Sequence, residues 1–420
     1  MIVARAPGRL DVMGGIADYS GSLVLQLPLD RATTVTLEPL DEPDIVLLSD
    51  AKDLRFRIPV EEIQAIGASR LAQRFPADAQ DHWLAYVLGV AHSALVRQRS
   101  LITRPVTGFA LRIESSVPEG KGISSSAALE VACYGAIARH LGITIDPANI
   151  AAECQWAENH VAGAPCGIMD QMTSACGIAD HLLRLRCQPA TIEGHVAIPD
   201  GYRFFGIDSG IRHAVTGSDY GTVRTAAFMG YRIIAGDTGA DPWNGYLANM
   251  SPAEFSARHE HVLPESISGA DFLARHGDIH DTVTRVDPER RYPVRVATAH
   301  PVFENARVER FATLLGELAV SEHAAGEMGR LMFESHASYG ACGLGSDGTD
   351  TLVALAREAG PARGIYGAKI TGGGSGGTVA ILARADASRV VQSIAEAYTR
   401  ATGWQAEIFA GSSGGLSVVG

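Results

Sequence analysis

A turn rich in glycine and serine carries the clearest chemical signal in the chain. Its residues are Gly120, Lys121, Gly122, Ile123, Ser124, Ser125 and Ser126. A glycine-rich turn that opens a helix presents unpaired N–H groups and the positive end of the helix dipole to an anion. Lys121 adds a positive charge, and a serine hydroxyl can bind the Mg²⁺ that accompanies phosphate. The turn therefore predicts a phosphate site without Walker A spacing, and the plainer alternative is a serine N-cap after an ordinary loop.

Two acidic residues downstream of this turn are further candidates for the site. Glu158 falls near the end of a predicted helix, where the helix dipole disfavours an anion and a nearby Mg²⁺ would compensate for it. The alternative for Glu158 is a solvated position on a helix face. Asp170 follows a Gly-Ala-Pro break in an apolar neighbourhood, so its carboxylate is either buried with a partner or exposed in a cleft.

The N-terminal segment holds an arginine and two carboxylates around a pair of glycines. Arg9 and Asp18 flank Gly14 and Gly15, and Asp11 lies between them. Arg9 is either a surface partner of Asp11 or a partner of a catalytic carboxylate or phosphate. The residue pattern alone leaves both interpretations open.

A second glycine cluster includes Gly372, Gly373 and Gly374. It is either a tight turn or a place where backbone closely approaches a ligand. A strand rather than a helix follows this cluster, so it is not a dinucleotide-binding fingerprint.

The elements that would position these residues alternate between strands and helices. Residues 109–113 form a predicted strand that enters the serine-rich turn, and the helix after the turn should end at Leu141 before Gly142. Asp146 and Pro147 begin a helix expected over residues 148–161. The remaining predicted elements are strands at residues 33–37, 202–207 and 378–382 and helices at residues 302–318, 325–339 and 387–401. Residues 236–300 read as helical but rich in loops, and the fold class predicted is α+β.

The bulk composition limits the classes of protein that fit. A chain of 420 residues should form two domains, which we expect at residues 1–200 and 201–420. The net charge of −12 and the lack of a basic stripe exclude nucleic acid or an anionic membrane as a partner. The first residues do not resemble a signal peptide, and the six scattered cysteines favour reduced thiols, so we expect a cytoplasmic protein that is a monomer or a homodimer.

Together these segments resemble the GHMP kinases, and among them the galactokinase branch. The similar stretches, which occur in the expected order, are residues 6–21, 83–87, 117–128, 157–171, 209–213, 218–220 and 372–377. The resemblance implies a ribosomal S5 domain 2-like N-terminal domain and a ferredoxin-like C-terminal domain, with the active site in the cleft between them. It also implies ATP and Mg²⁺ as cofactors and a small sugar as the substrate.

The resemblance also assigns roles to individual residues. The turn from Gly120 to Ser126 would wrap the phosphates of ATP, Trp83 would lie near the adenine, and Gly372 to Gly374 would form the third motif. Ser126 and Glu158 would hold Mg²⁺. Asp170 would accept the proton of the anomeric hydroxyl, with Arg9 lowering the pKa of that carboxyl and stabilising developing charge. The residues implied to contact sugar hydroxyls are Asp18, Gly167 and Tyr220.

One departure from the galactokinase pattern bears on the sugar. Galactokinases carry a Glu-His pair, which contacts the C6 hydroxymethyl group, where this chain has Gly15 and Ile16. A pocket built for a hydroxyl loses affinity when that hydroxyl is absent, so Gly and Ile favour a sugar with nothing polar there. L-Arabinopyranose is galactopyranose without C6, and residues 18–26 and 342–350 are similar to the kinase domain of plant arabinokinases. Lys121, where galactokinases usually have a small residue, also fits that branch.

Several alternatives remain at this stage. D-Galactose is a possible substrate, whereas galacturonate would require a cationic residue near C6 that Gly15 and Ile16 do not supply. A catalytically silent sugar sensor would be expected to carry damage within the phosphate turn, and this turn is intact. The segment around Asp170 argues against a diphosphate decarboxylase of the same superfamily.

Overall fold

The computed structural model describes residues 1–211, 218–239, 241–318 and 321–420. Arg212 and His213, at the end of one of the stretches that carry the family resemblance, lie outside the described residues. None of the helices within these ranges is long and apolar enough to cross a membrane.

The strands and helices mostly follow one another in short runs of one type along the chain. The strands are β1 (Ile2–Met13), β2 (Leu23–Leu40), β3 (Asp44–Ser49), β4 (Leu54–Pro59), β5 (Gly108–Ser115), β6 (His181–Arg186), β7 (Thr191–Ala197), β8 (Tyr202–Asp208), β9 (Ile267–Ser268), β10 (Arg291–Tyr292), β11 (Ile365–Ile370), β12 (Thr378–Arg384), β13 (Ile408–Phe409) and β14 (Ser417–Val419). The helices are α1 (Val60–Ala65), α2 (Ala68–Arg74), α3 (Leu84–His92), α4 (Ser125–Leu141), α5 (Pro147–Ala157), α6 (Met169–Cys176), α7 (Ser218–Thr238), α8 (Pro252–Glu254), α9 (Gly269–His276), α10 (Val294–Glu317), α11 (Glu322–Ala341), α12 (Asp347–Ala359) and α13 (Ser388–Thr402).

Two large sheets divide the molecule, and β9 and β10 form a separate two-stranded sheet. The first has the order β14-β1-β2-β5-β3-β4, with β6 pairing with β2 and β7 with β6, and its strands are antiparallel except for the parallel pair β3–β5. The second has the antiparallel order β11-β12-β8-β13. Helices α3 to α6 share a hydrophobic core with the first sheet, and α12 and α13 share one with the second. This is the two-domain, mixed α and β fold that the resemblance implies.

The predicted domain boundary lies just before the second sheet begins. The second sheet starts with β8 at Tyr202, close to the predicted boundary at residue 200. The chain's last strand, β14, returns to the first sheet, where Val419 pairs with Val3. The C-terminal residues of the expected domain 201–420 therefore do not all pack with the second sheet, and the exact boundary stays a prediction.

Local signals explain the elements around the cleft. Helix α4 ends at Gly142, which adopts a left-handed conformation, and the Asp146 side chain caps α5 by accepting a hydrogen bond from the Asn149 N–H. Helix α5 continues as a wider turn over Glu158–Ala162 before Gly163 stops it. Helix α10 begins earlier than predicted, at Val294 rather than residue 302, because Pro301 lies inside the helix instead of marking its start.

Helix α11 approaches the second sheet through glycine. A Cβ atom on Gly329 would lie 1.9 Å from the Tyr366 carbonyl oxygen, and one on Gly367 would lie 2.4 Å from the Gly329 Cα. Backbone therefore packs directly on backbone where α11 crosses β11. Gly326, on the exposed side of the same helix, has no atom within 4 Å of its Cβ position.

Gly329→Ala is expected to lower the free energy of unfolding by about 1 to 3 kcal/mol, because the added methyl forces the helix away from β11. Gly326→Ala is the matched control and should raise it by about 0.5 to 1 kcal/mol, because alanine has the better helix propensity. Urea denaturation followed by circular dichroism measures both changes. Equal effects of the two variants would show that the close approach does not limit packing.

Candidate functional site

A cleft of about 490 Å³ brings most of the predicted site residues together. Residues from both halves of the chain line it. The predicted residues in its lining are Arg9, Ile16, Asp18, Trp83, Gly120, Gly122, Ser124, Ser125, Ser126, Glu158, Gly167, Asp170, Tyr220, Gly372 and Gly373. Gly15, Lys121, Ile123 and Gly374, which were also predicted for the site, do not contribute to this lining.

Arg9 and Asp170 form a two-pronged ion pair inside the cleft. The Arg9 Nε and Nη2 atoms donate to the Asp170 Oδ1 and Oδ2 atoms at 2.8 and 2.9 Å, and Arg9 Nη1 donates to the Gly122 carbonyl at 2.6 Å. The Arg9 side chain is 3% exposed and the Asp170 side chain 20% exposed. The alternative of a surface pair between Arg9 and Asp11 is therefore wrong. This bidentate contact between Arg9 and Asp170, called the arginine fork below, fixes the plane of the Asp170 carboxylate. The Asp170 side chain stays partly open to the cleft.

The serine-rich turn has the backbone conformation of an anion cradle. Gly120, Gly122 and Ser124 all have positive φ, at 71°, 69° and 61°, and helix α4 begins directly after them. Ser124 occupies the N-cap position, but its side chain makes no capping hydrogen bond and its Oγ is buried without a protein partner. The plain N-cap interpretation is therefore wrong, and the hydroxyl is available to a ligand. Ile123 is buried in the hydrophobic core behind the turn.

Lys121 points away from the cleft, contrary to expectation. Its Nζ atom lies 2.6 Å from the Asp208 Oδ2 atom, and the two side chains are 19% and 4% exposed. The Lys121 carbonyl also accepts a hydrogen bond of 2.8 Å from the Thr378 hydroxyl. Both partners belong to the second sheet. The lysine therefore ties the turn to that sheet, and its charge is already paired.

Glu158 is a buried carboxylate, so its interpretation as a solvated residue on a helix face is wrong. It lines the cleft and accepts a hydrogen bond from the Gln171 amide. Burial, followed by the negative charge of Asp170, raises the pKa of Glu158 to about 7, against a hydrogen bond from Ser126 that lowers it. A cation near Glu158 would relieve this unfavourable environment.

Ser126 and Glu158 fit a magnesium ion held partly by its substrate. Both offer oxygen atoms at the cleft wall, and Mg²⁺ in kinases is usually held by one or two protein ligands plus phosphate oxygens and water. Among the described residues no group of three or more His, Cys, Asp or Glu side chains could hold a metal alone. Ser126 and Glu158 could therefore hold a Mg²⁺ ion only together with phosphate oxygens and water.

Sequence reasoning missed a second buried carboxylate beside this position. Glu130, on helix α4, is fully buried and accepts a hydrogen bond of 3.2 Å from Gln171 Nε2. Burial, followed by the charge of Glu158, raises the pKa of Glu130 well above its usual range. Its spacing of four residues from Ser126 places both on one helix face, and that spacing is the signal that could have found it.

Asp18 and Gly167 form one end of the cleft. A Cβ atom on Gly167 would lie 1.8 Å from the Asp18 Oδ2 atom, so only glycine allows this approach. Asp18 is 4% exposed, and its Oδ1 atom has no protein partner. Burial, followed by the charge of Asp170, raises the pKa of Asp18 to about 7, although the positive charge of Arg224 lowers it. Tyr220 lines the cleft at the same end.

Gly15 does not reach the cleft, which corrects its predicted role. A Cβ atom on Gly15 would lie 1.6 Å from the Tyr339 Oη atom, and the residue has a φ of +42°. The Tyr339 hydroxyl accepts a hydrogen bond of 2.9 Å from the Ile16 N–H and donates one of 3.0 Å to the Gly372 carbonyl. Ile16 alone of the pair lines the cleft. Tyr339 lies in a helix whose apolar pattern indicates only core, so no sequence signal identified it.

The second glycine cluster is both a tight turn and a close backbone approach. A Cβ atom on Gly372 would lie 2.9 Å from the Gly122 carbonyl oxygen and 3.2 Å from the Arg9 Nη2 atom. Gly372 and Gly373 line the cleft, whereas Gly374 packs against Leu344 behind it. The cluster therefore brings the second sheet against the arginine fork.

An aromatic group forms another part of the cleft wall. Trp83, His82 and Tyr86 lie there, at and just before the start of helix α3. The His82 and Tyr86 rings meet edge to face, with their centroids 5.6 Å apart. Flat apolar side chains of this kind suit a planar ring of a ligand.

Comparison with known families matches three segments of the chain in order. Residues 1–39 match the galactokinase galactose-binding signature, residues 85–178 the GHMP kinases N-terminal domain, and residues 317–400 the GHMP kinases C-terminal domain. A galactokinase of Chloroflexus aggregans is 33% identical over 390 residues, which cover 91% of this chain and 84% of that protein. An L-arabinokinase of Arabidopsis thaliana is 40% identical over 488 residues.

That alignment with the arabinokinase covers all of this chain but 46% of the relative, so the chain spans about half the length of that protein. Among solved structures, Lactococcus lactis galactokinase complexed with galactose superposes with a TM-score of 0.78 at 21% identity, covering 99% of this chain and 95% of that one. A mevalonate kinase superposes with a TM-score of 0.58.

The fold and the cleft are those of a small-molecule kinase, and the chain belongs to the GHMP kinases, which use ATP. Within that family it is a sugar kinase of the galactokinase and arabinokinase type.

Asp18→Asn is expected to reduce the pH dependence of stability. The pKa of this carboxyl is raised from 3.8 to about 7 in the folded state, so the stability it contributes is present below about pH 4 and lost as the pH rises through 7. The amide cannot ionise, so the variant should gain on the order of 2 to 4 kcal/mol relative to the parent protein between about pH 4 and pH 8.

Urea denaturation at several pH values measures this difference. Asp200→Asn is the control, because Asp200 is an exposed carboxylate and neither it nor the residues beside it line the cleft, and it should follow the parent protein. Parallel pH profiles for the parent and Asp18→Asn proteins would contradict the expected environment of Asp18.

Proposed function

We propose that this protein transfers the γ-phosphoryl group of ATP to the anomeric hydroxyl of L-arabinose, forming L-arabinose 1-phosphate and ADP. The observation that carries the reaction is the Arg9–Asp170 fork, which lies in the same cleft as the serine-rich turn. The observation that carries the sugar is the apolar Ile16 side chain in the cleft wall. The identity of 40% to an L-arabinokinase supports the same substrate.

Asp170 is the group proposed to accept the proton of the sugar hydroxyl. Phosphoryl transfer depends mainly on positioning and charge neutralisation, with a carboxylate orienting the attacking oxygen. Arg9 holds both Asp170 oxygens through one lone pair each, which leaves lone pairs facing the cleft. The hydroxyl oxygen then bonds to the γ-phosphorus, its proton passes to Asp170, and the bond from the γ-phosphorus to the bridging oxygen breaks to release ADP.

The phosphate chain of ATP is proposed to bind at the turn from Gly120 to Ser126. The backbone N–H groups at the start of helix α4 supply the attraction, since Lys121 is already paired with Asp208. Mg²⁺ held by Ser126 and Glu158 would neutralise charge on the phosphate oxygens. The adenine ring is proposed to lie against Trp83.

The sugar is proposed to bind between Asp18, Gly167 and Tyr220. The Asp18 Oδ1 atom has no protein partner and is the proposed acceptor for a sugar hydroxyl. Because Gly167 has no side chain, the Asp18 carboxylate has room beside it. An apolar wall at Ile16 offers no hydrogen bond to a hydroxymethyl group. In a buried site a hydroxyl without a partner costs on the order of 1 to 3 kcal/mol.

Galacturonate is the least favoured of the related sugars. The cationic side chains of the cleft lining in the described residues are Arg9 and Lys52, and each is already paired, with Asp170 and Glu119. The carboxylate of galacturonate would therefore find no free counter-charge. D-Galactose remains the alternative substrate, since the 33% identical relative is a galactokinase.

A sugar panel assayed by ADP release tests the substrate. We expect kcat/KM for L-arabinose to exceed that for D-galactose by about tenfold or more, because the unpaired hydroxymethyl group weakens transition-state binding. Faster turnover of D-galactose would contradict the argument from Ile16. Sugar binding without turnover of any sugar would instead support a catalytically silent sensor.

Asp170→Asn is expected to lower kcat by about 10²- to 10⁴-fold, because the amide cannot accept the proton. The affinity for ADP, measured by calorimetry, should stay within about twofold, since the amide oxygen still bonds to Arg9. Asp200→Asn is the exposed control and should keep full activity. Retained turnover in Asp170→Asn would exclude this residue as the base.

A further inference from the structure

The segment between helices α7 and α10 has no part in the predicted site, yet it is anchored to it. It lies between the matched family segments, which end at residue 178 and resume at residue 317. One of its residues, Asp281, receives two hydrogen bonds of 2.8 Å from the Nε and Nη2 atoms of Arg224 on helix α7. The two side chains are 7% and 4% exposed, so the ion pair is buried.

The remaining nitrogen of Arg224 reaches the loop before the catalytic carboxylate. Arg224 Nη1 donates to the carbonyl oxygens of Pro165 and Cys166, each at 3.1 Å. The next residue is Gly167, whose contact with Asp18 leaves no space for a Cβ atom. A small displacement of these two carbonyls would therefore change the sugar end of the cleft directly.

Asp281 is held rigidly on its own side. Its carboxylate accepts hydrogen bonds from the Val283 N–H at 3.2 Å, the Thr284 N–H at 3.1 Å and the Thr284 hydroxyl at 2.6 Å. Burial acts to raise the pKa of Asp281, but the hydrogen bonds and charge of Arg224 outweigh it and hold the pKa below its usual value. The carboxylate is therefore a fixed, charged anchor for the arginine.

We propose that Asp281 and Arg224 are positioning residues that set the loop at residues 165–167 for sugar binding. The inference rests on the proposed function, in which Asp18 and Gly167 face the sugar. Neither Arg224 nor Asp281 lines the cleft, so both act through the loop and not on the substrate. The segment that family comparison leaves unmatched thereby acquires a role in sugar affinity.

The geometry of the Arg224 contacts requires a guanidinium group. Three nitrogens of one planar group bond to a carboxylate on one side and two carbonyls on the other. A lysine ammonium carries the same charge but cannot span both sets at once. The charge of Arg224 also lowers the pKa of Asp18, but the carbonyl contacts carry the proposal because they reach the loop itself.

Steady-state kinetics of Asp281→Asn and Arg224→Lys test the proposal. Each should raise KM for the sugar by about tenfold or more, while KM for ATP stays within about twofold, because the nucleotide end of the cleft is untouched. An unaltered ratio of the two KM values would overturn the proposal. A normal sugar KM in the Arg224→Lys variant would also overturn the proposal, because the positive charge alone would then suffice.

A double variant separates positioning from stability. Arg224→Met combined with Asp281→Asn removes both charges and keeps an amide oxygen for the Val283 and Thr284 N–H groups, so much of the stability lost in the single variant Asp281→Asn should return. The carbonyls of Pro165 and Cys166 still lack their donor, so sugar KM should stay raised. Recovery of both the unfolding midpoint and the sugar KM would show that the pair serves folding alone.

Glu153→Gln is the matched control. Glu153 accepts two hydrogen bonds from Arg97, of 2.8 and 3.2 Å, in a similar pair that does not line the cleft. It should lower the unfolding midpoint without changing the KM ratio.

If the parent protein prefers another sugar, the substrate proposal fails and the same ratio is measured with that sugar. If it turns over none, calorimetric sugar affinity replaces KM, and equal affinities of parent and variants would overturn the positioning role.

Discussion

A fully buried ion pair between Asp11 and Lys369 joins the two sheets, and the cleft depends on it. The Lys369 Nζ atom lies 2.6 Å from the Asp11 Oδ2 atom, with Gln26 donating to the other carboxylate oxygen at 2.7 Å. Breaking such a pair from one side typically costs about 3 to 5 kcal/mol, so this contact resists displacement. Asp11 follows Arg9 by two residues on β1, and Lys369 precedes Gly372 by three. The ion pair therefore holds the arginine fork and the glycine turn at a constant separation.

Charge within the cleft is the second constraint on the chemistry. Asp18, Glu158 and Asp170 all line the cleft, and Arg9 pairs with one of them, Asp170. Burial and mutual repulsion raise the pKa values of Asp18 and Glu158. In the proposed reaction the attraction for the phosphates of ATP therefore comes from backbone N–H groups and Mg²⁺, because Lys121 is already paired with Asp208. A protein with a net charge of −12 can bind ATP on these terms, since the site and not the overall charge decides.

Features that depend on residues close together in the chain were predicted from the sequence. The glycines of the serine-rich turn, the helix stop at Gly142 and the cap at Asp146 follow from backbone conformation within a few residues. Contacts between residues that lie far apart in the chain were not predicted from the residue pattern. Asp208, which turns Lys121 away, lies 87 residues downstream of it by numbering. Arg9 meets Asp170 across 161 residues, and family resemblance rather than physical pattern suggested that pairing.

Because of the close contact between Gly15 and the Tyr339 hydroxyl, the residue types that these two positions can hold depend on each other. No side chain can be added at residue 15 while the hydroxyl remains 1.6 Å from its Cβ position. Loss of the hydroxyl first would strand the Ile16 N–H and the Gly372 carbonyl, which it now joins. Either single step is harmful, so a side chain can be added at residue 15 only together with a change at residue 339. Tyr339 thus restricts residue 15 to glycine, next to the wall of the proposed sugar site.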